Sequence, residues 1–227
     1  MALQGPLYRI CRRILRLRYA RFRCTKEAEP EYPVVYICRH RNAMGPISSL
    51  CVLPLGVRPW VIDFFMETKA CVKHLRDYTF PVTRKHRRFT SRVLAVLLGP
   101  PFARLVRSTG AIPVYRHSLR VRETFRETIN ALEAGDSIVI FPDVDYAKLE
   151  GETGSLYDGF LTLETLWNRK TGGHIRFAPI NVSMENRELT IGKSVSFTGS
   201  MPFSKEKAQI VAQLEDTLNQ MAKQYGA

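Results

Sequence analysis

His40 is the residue of this chain best placed to do chemistry. It follows the apolar run Val34–Cys38 directly, and a polar turn containing the pair Gly45-Pro46 comes soon after it. A β-branched run that stops at a polar turn predicts a buried strand, and ligands bind at the carboxyl ends of such strands in α/β sheets. Histidine is also the natural acid–base residue near neutral pH. The pattern predicts a general base at a sheet edge. The alternative is a histidine that only makes a hydrogen bond to the loop.

The elements that must position this histidine alternate along the chain between strands and helices. Apolar runs and turn residues predict strands at 34–38, 58–64, 111–115, 137–141 and 175–182, and a hairpin at 189–191 and 195–197. Helical spacing predicts helices at 46–52, 68–76, 118–134, 159–167 and 205–224. This order predicts an α/β fold with a mixed, mostly parallel sheet covered by helices on both faces.

The charge is uneven along the chain. The net charge is +13, and residues 1–23 contain seven arginines and no acidic residue. Apolar and basic residues alternate over 7–23, which predicts a basic amphipathic helix suited to an anionic membrane surface. The alternative is a solvated helix packed on the domain. We therefore expect a membrane-associating segment at 1–29 and one α/β domain at 30–227. A second basic cluster at 84–92 is either another membrane contact or a solvated loop.

Several classes of protein are disfavoured. The longest apolar stretch, Val93–Leu98, is short and is followed by Gly99-Pro100-Pro101, so no membrane-spanning segment is expected. Arginines interrupt the apolar runs of the N-terminus, which is unlike a signal peptide.

The five cysteines lack the spacing of metal ligands and fit reduced thiols in the cytoplasm. No nucleic-acid module accompanies the basic runs, so no nucleic-acid partner is expected. The other histidines lack metal-type partners in sequence and are expected on loops or the surface, with no metal site: His74, His86, His117 and His174.

Four blocks of the sequence resemble the glycerol-3-phosphate and lysophosphatidate acyltransferase family. The blocks are CRHRNAMGP (38–46), GAIPVYR (110–116), VIFPDVDYA (139–147) and FAPINVS (177–183). They stand in the order of the family's histidine-aspartate, arginine, glutamate-glycine-threonine-arginine and valine-proline motifs. The resemblance covers about residues 30–185. It implies a glycerolphosphate-acyltransferase-like fold, with His40 taking a proton from the acceptor hydroxyl.

The first block departs from the family's pattern. The family has an aspartate five residues after the histidine, where it orients the imidazole, and this chain has Gly45. Loss of the carboxylate from a histidine-based triad can lower turnover by about 10⁴-fold. The resemblance places the third block beside the first, so Asp143 and Asp145 are the predicted substitutes and Asp63 a weaker one. Both third-block aspartates have the alternative of turn or helix-cap residues.

The third block departs as well. Asp143-Val144-Asp145-Tyr146 stands where the family has an arginine that meets the acceptor phosphate. Two carboxylates should repel a phosphate, so the predicted acceptor is not glycerol 3-phosphate but a hydroxyl of a sugar-type or lipid molecule, or an amine. The predicted substrate-binding residues are Arg39, Arg41, Asn42, Arg116 and Tyr146. Asn42 has the alternative of capping the next helix, and Arg116 that of an ordinary surface residue.

The resemblance implies a membrane-surface acyltransferase. Its acyl donor would be acyl-CoA or acyl carrier protein as a co-substrate, with no cofactor and no metal. Its expected place is the cytoplasm, peripheral at the inner face of the cell membrane, with anionic lipid as its partner. The alternative is a catalytically degenerate member of the fold that binds a lipid or an anion.

Overall fold

One mostly parallel sheet organises the chain. The computed structural model describes residues 4–18, 21–40, 44–85, 87–116, 118–143 and 156–226. In these residues seven strands form the sheet: β1 (Arg23–Lys26), β2 (Val34–Cys38), β3 (Val57–Ile62), β4 (Ile112–Val114), β5 (Ser137–Ile140), β6 (Arg176–Ser183) and β7 (Glu188–Ile191). Their order is β1-β7-β6-β2-β5-β3-β4, and only β6 and β7 pair antiparallel. The predicted mixed, mostly parallel sheet is confirmed.

Helices cover both faces of this sheet. The α-helices are α1 (Pro6–Arg18), α2 (Met44–Val52), α3 (Thr68–His74), α4 (Arg88–Ser108), α5 (Val121–Glu133), α6 (Thr162–Thr171) and α7 (Phe203–Tyr225). Short 3₁₀ turns lie at Asp63–Phe65 and Asp158–Leu161, and a π-helix at Leu75–Thr83. In β2, Val35 and Ile37 join the core formed with α5, α6 and α7. Val34, Tyr36 and Cys38 join a second core beneath α2. The central strands are therefore buried on both sides, as their continuous apolar sequence predicts.

A helical excursion connects β3 to the parallel strand β4. It contains α3, the π-helix and α4, which share a small apolar core built around Cys71, Leu75, Ala95 and Ala103. Gly99 allows the close approach of α4 to α3, because a Cβ there would lie 2.5 Å from Cγ2 of Val72.

The structure corrects the expectation that the proline pair ends the apolar stretch. Helix α4 continues through Pro100 and Pro101 for 21 residues. Prolines remove the bonds to the carbonyls four residues earlier, which belong to Val96 and Leu97. Those residues and both prolines are exposed, so solvent can satisfy these groups. Of the helices in the described part of the chain, α4 is long and apolar enough to cross a membrane by length and composition, although it also packs against α3.

Two predictions at the other end of the sheet are also corrected. The expected hairpin between 189–191 and 195–197 is wrong, because β7 pairs with β6 and with β1. Val195 instead bridges to Phe177 on β6. Strand β1 was not predicted, since its four side chains are all exposed and show no apolar alternation.

Candidate active site

The residues predicted to do chemistry gather at the carboxyl edge of the sheet. Strands β2, β5, β3 and β4 are parallel neighbours, so their carboxyl ends meet at the same edge. His40 follows β2, Asp143 follows β5, and Asp63 follows β3. Arg116 is exposed after β4, three strand spacings or about 14 Å from β2. The edge therefore brings His40 and Asp143 together and leaves Arg116 farther away.

Asp143 joins the ends of β5 and β2. Its Oδ2 accepts a hydrogen bond from the backbone N–H of His40. Its Oδ1 lies 3.5 Å from Nη1 of Arg39, and both of these side chains are largely buried. The carboxylate thus fixes the backbone that carries the imidazole. Removing either partner of a buried ion pair leaves the other charge buried without compensation, which destabilises the protein.

Arg39 is held from a second side. Its Nη2 donates to Oδ1 of Asn219 on α7, at 2.8 Å. The guanidinium predicted to bind substrate is therefore bonded to Asn219 and paired with Asp143. Its charge offsets that of the aspartate rather than standing alone as an anion site.

The His40 ring lies partly inside the protein. Its Nδ1 atom is buried, while the residue as a whole is half-buried. The ring of Phe141 meets it edge-on, with centroids 5.8 Å apart and planes at 80°. The ring therefore packs against Phe141 at the end of β2, with part of the residue accessible.

Gly45 stands where the resembled family has an aspartate, and the backbone packs closely around it. It lies in the first turn of α2, and its N–H donates to the carbonyl oxygen of His40 at 3.2 Å. A Cβ at this position would lie 2.1 Å from the carbonyl oxygen of Arg39 and 3.0 Å from that of His40. This backbone arrangement leaves no room for a side chain. Asp143 contacts the backbone N–H of His40, and its predicted role of orienting the imidazole stays a prediction.

The remaining predicted site residues lie outside the described part of the chain. These are Arg41, Asn42, Asp145 and Tyr146, and their roles stay predictions. Within the described residues there is no group of three or more histidine, cysteine, aspartate or glutamate side chains that could hold a metal ion.

Two other histidines have partners that the sequence did not reveal. His174 was expected on a loop or the surface without a partner at metal spacing, and its Nδ1 lies 2.7 Å from Oε1 of the buried Glu164. The two are ten residues apart, across the end of α6, which is not a metal spacing. His74 stacks on Phe64 with centroids 4.3 Å apart, and burial lowers the pKa of His74. His86 and His117 fall outside the described residues.

Two pockets lie near these histidines. One of about 290 Å³ is lined by His174, Glu164 and Glu206, and it opens at the amino edge, opposite His40. The other, of about 300 Å³, is lined by Phe64, His74 and Tyr78. It adjoins the carboxyl end of β3, two strand spacings or about 10 Å from β2.

Sequence reasoning missed the contribution of α7 to the site. Asn219 holds Arg39, and Glu215, one turn earlier, accepts the backbone N–H of Leu156 at 2.6 Å. The two polar residues are spaced i, i+4 and therefore share a helix face. They are only half-buried beside the apolar positions of α7, so the spacing alone could equally mark a solvated stripe.

The comparisons with known proteins give a distant likeness of fold. No protein-family model and no curated protein sequence matches the chain. Among solved structures, it is similar to the 1-acyl-sn-glycerophosphate (LPA) acyltransferase PlsC from Thermotoga maritima, with a TM-score of 0.49 and 9% identity. The match covers 94% of this chain and 79% of that one. A likeness of this size concerns overall fold and assigns no role to any residue.

Proposed function

We propose that this protein is an acyltransferase that acts at a membrane surface. It moves a fatty acyl group from the thioester of acyl-CoA or acyl carrier protein to a hydroxyl or amine of a lipid or sugar-type acceptor. The observation that carries this proposal is the placement of His40. The residue follows a buried strand at the carboxyl edge of the sheet, and its backbone N–H donates a hydrogen bond to Asp143 there.

The chemistry requires one general base. His40 takes the proton of the acceptor O–H or N–H as that atom attacks the thioester carbonyl carbon. The tetrahedral intermediate then collapses, the carbon–sulfur bond breaks, and the imidazolium returns its proton to the departing thiolate. Bond making, bond breaking and proton transfer balance without a covalent enzyme intermediate. Asp143, Arg39 and Asn219 hold the backbone in place and take no proton.

The charges near His40 favour an acceptor without a phosphate at the reacting end. Asp143 belongs to the block that carries a phosphate-binding arginine in the resembled family, and the nearby Arg39 already pairs with it. An approaching phosphate would therefore meet a neutralised pair rather than an open guanidinium. This supports an acceptor other than glycerol 3-phosphate.

The surface of α1 supports docking on an anionic bilayer. Ile10, Ile14 and Leu17 are 59%, 62% and 78% exposed at helical spacing, and we call them the outer face of α1. Arg9, Arg13 and Arg16 are exposed around this face. Apolar side chains bordered by arginines suit the boundary between headgroups and acyl chains. Helix α4 adds exposed apolar side chains at Phe89, Val93, Val96 and Leu97. We place the protein at the inner face of the cell membrane, as a peripheral protein.

An acceptor panel tests the proposed reaction. Purified full-length protein is mixed with palmitoyl-CoA or acyl carrier protein loaded with palmitate, anionic vesicles, and either glycolipid, amino-lipid or glycerol 3-phosphate acceptors. We expect acylated product and stoichiometric free thiol with a hydroxyl or amine acceptor, and no saturable acylation of glycerol 3-phosphate. Saturable acylation of glycerol 3-phosphate would overturn the acceptor assignment. Vesicle binding without transfer to any acceptor would overturn the enzyme proposal and favour the degenerate lipid-binding protein.

A further inference from the structure

Side chains of helix α1 make hydrogen bonds to the carboxyl-terminal end of α2. The hydroxyl of Tyr8 donates to the carbonyl oxygen of Leu50 at 2.7 Å. Arg12 donates from Nε to the same carbonyl at 3.0 Å, and from Nη2 to the carbonyl of Leu53. Carbonyls at the end of a helix have no partner within it, so these bonds satisfy groups that would otherwise need water. Burial raises the pKa of Tyr8 to about 12, so its hydroxyl stays protonated at neutral pH.

Arg12 differs from the arginines around it. It is 8% exposed, whereas Arg9, Arg13 and Arg16 are exposed. Burying a guanidinium is costly unless its charge is compensated. The negative end of the α2 dipole, where the two carbonyls lie, supplies such compensation. The side chain therefore serves the α1–α2 contact rather than solubility or lipid binding.

The other end of α2 contacts the backbone of the site. Gly45 donates its N–H to the carbonyl of His40, and the helix approaches the carbonyl of Arg39 too closely for a Cβ. Midway along the helix, the hydroxyl of Ser49 contacts Sγ of Cys38 at 3.5 Å. A nine-residue helix spans about 13 Å, so α2 links the contacts at Leu50 to those at the His40 backbone. A displacement at Leu50 is expected to reach His40 through this helix.

We propose that anionic lipid bound to the outer face of α1 is sensed at His40 through α2, with Arg12 as a positioning residue of the site. One face of α1 offers lipid its exposed side chains, and the opposite face holds Tyr8 and Arg12 against α2. Bilayer binding fixes α1, and α1 in turn fixes the helix that approaches the His40 backbone. The inference rests on the proposed docking of α1 on a bilayer, and it rests on the proposed acyl transfer only for its effect on catalysis.

Hydrogen exchange with the full chain tests the coupling without requiring turnover. Exchange is followed by mass spectrometry with and without vesicles of phosphatidylglycerol and phosphatidylcholine. Arg12→Met and Arg13→Met form a matched pair, since each removes one arginine charge from α1 and only Arg12 is buried. In the wild type and in Arg13→Met, vesicles should slow exchange in peptides spanning 38–52 by about threefold to tenfold, the equivalent of one hydrogen bond. In Arg12→Met, exchange over 38–52 should not respond to vesicles although α1 still binds them.

Three results overturn the coupling. They are a wild type that binds vesicles with no change over 38–52, an Arg12→Met protein that responds as Arg13→Met does, and a wild type that does not bind vesicles. If Arg12→Met fails to fold by circular dichroism, Tyr8→Phe removes one bond to the same carbonyl and must weaken the response. Acyl transfer is measured in parallel: if the proposed activity is absent while the exchange response is present, the proposed function fails and the coupling stands.

Discussion

At the scale of single residues, the site depends on glycine at position 45, where backbone carbonyls occupy the space that a Cβ would need. The strand-ending His40 and the acidic Asp143 could be found from sequence, because each follows an apolar run that must be buried. The resemblance predicted the two residues to be neighbours but not the kind of contact, since Asp143 accepts a hydrogen bond from a backbone N–H. The sequence shows glycine at position 45, where the resembled family has an aspartate. The structure adds that the carbonyl of Arg39 occupies the space a Cβ would need there.

Gly45→Ala should destabilise the protein. Its Cβ would lie 2.1 Å from a backbone oxygen, which cannot rotate away as a side chain could. We expect a loss of about 1–3 kcal/mol or more in the free energy of unfolding, as for other overpacked sites. Urea unfolding measures the loss. The matched control is Gly173→Ala, where the nearest atom to the new Cβ is 3.6 Å away.

The same geometry predicts that aspartate at position 45, the residue of the resembled family, raises neither stability nor activity. Gly45→Asp should lose stability like Gly45→Ala, and any acyl transfer should fall rather than rise. Equal stability of Gly45→Ala and Gly173→Ala in urea would show that the backbone near His40 is not arranged as described.

At the scale of elements, the amphipathic helices and the buried strands were predicted from the sequence. The exposed strand β1 and the continuation of α4 through its prolines were not. The expected helix 118–134 is present as α5, Val121–Glu133, because its apolar positions fall on one face. Strand β1 has exposed side chains and pairs with β7 along the backbone, which leaves no apolar alternation in the sequence. The proline pair of α4 was expected to break the apolar stretch, but the helix continues through it because the lost bonds fall on the exposed side.

The outer face of α1 gives a prediction at this scale. Leu17→Ser should weaken binding to anionic vesicles by about tenfold or more, because burying a leucine side chain contributes about 1.5–3 kcal/mol. Leu119→Ser is the matched control: Leu119 is 87% exposed and lies outside α1 and α4. Co-sedimentation with vesicles measures both. If the two variants bind equally well, α1 is not the docking helix.

At the scale of the whole molecule, sheet order decides which predicted residues can act together. The alternation of strands and helices predicted a mostly parallel sheet, but not the order that sets β5 next to β2 and β4 three strands away. Strand order follows from the packing of distant elements, and local sequence does not encode it. This order brings Asp143 to His40, leaves Arg116 about 14 Å away across the sheet, and places His174 at the opposite edge. The division predicted at residue 29 stays a prediction; β1, within that segment, belongs to the sheet.

Acyl transfer by wild type and His40→Gln tests the central claim most directly. Both proteins are assayed at neutral pH with the acyl donor, anionic vesicles and the acceptor found in the panel, after equal melting temperatures have shown that both are folded. A general base contributes about 10²–10⁴-fold to the rate, so His40→Gln should lower kcat by that factor while binding vesicles as the wild type does. Transfer by His40→Gln at the rate of the wild type would show that the imidazole at the end of β2 is not the base.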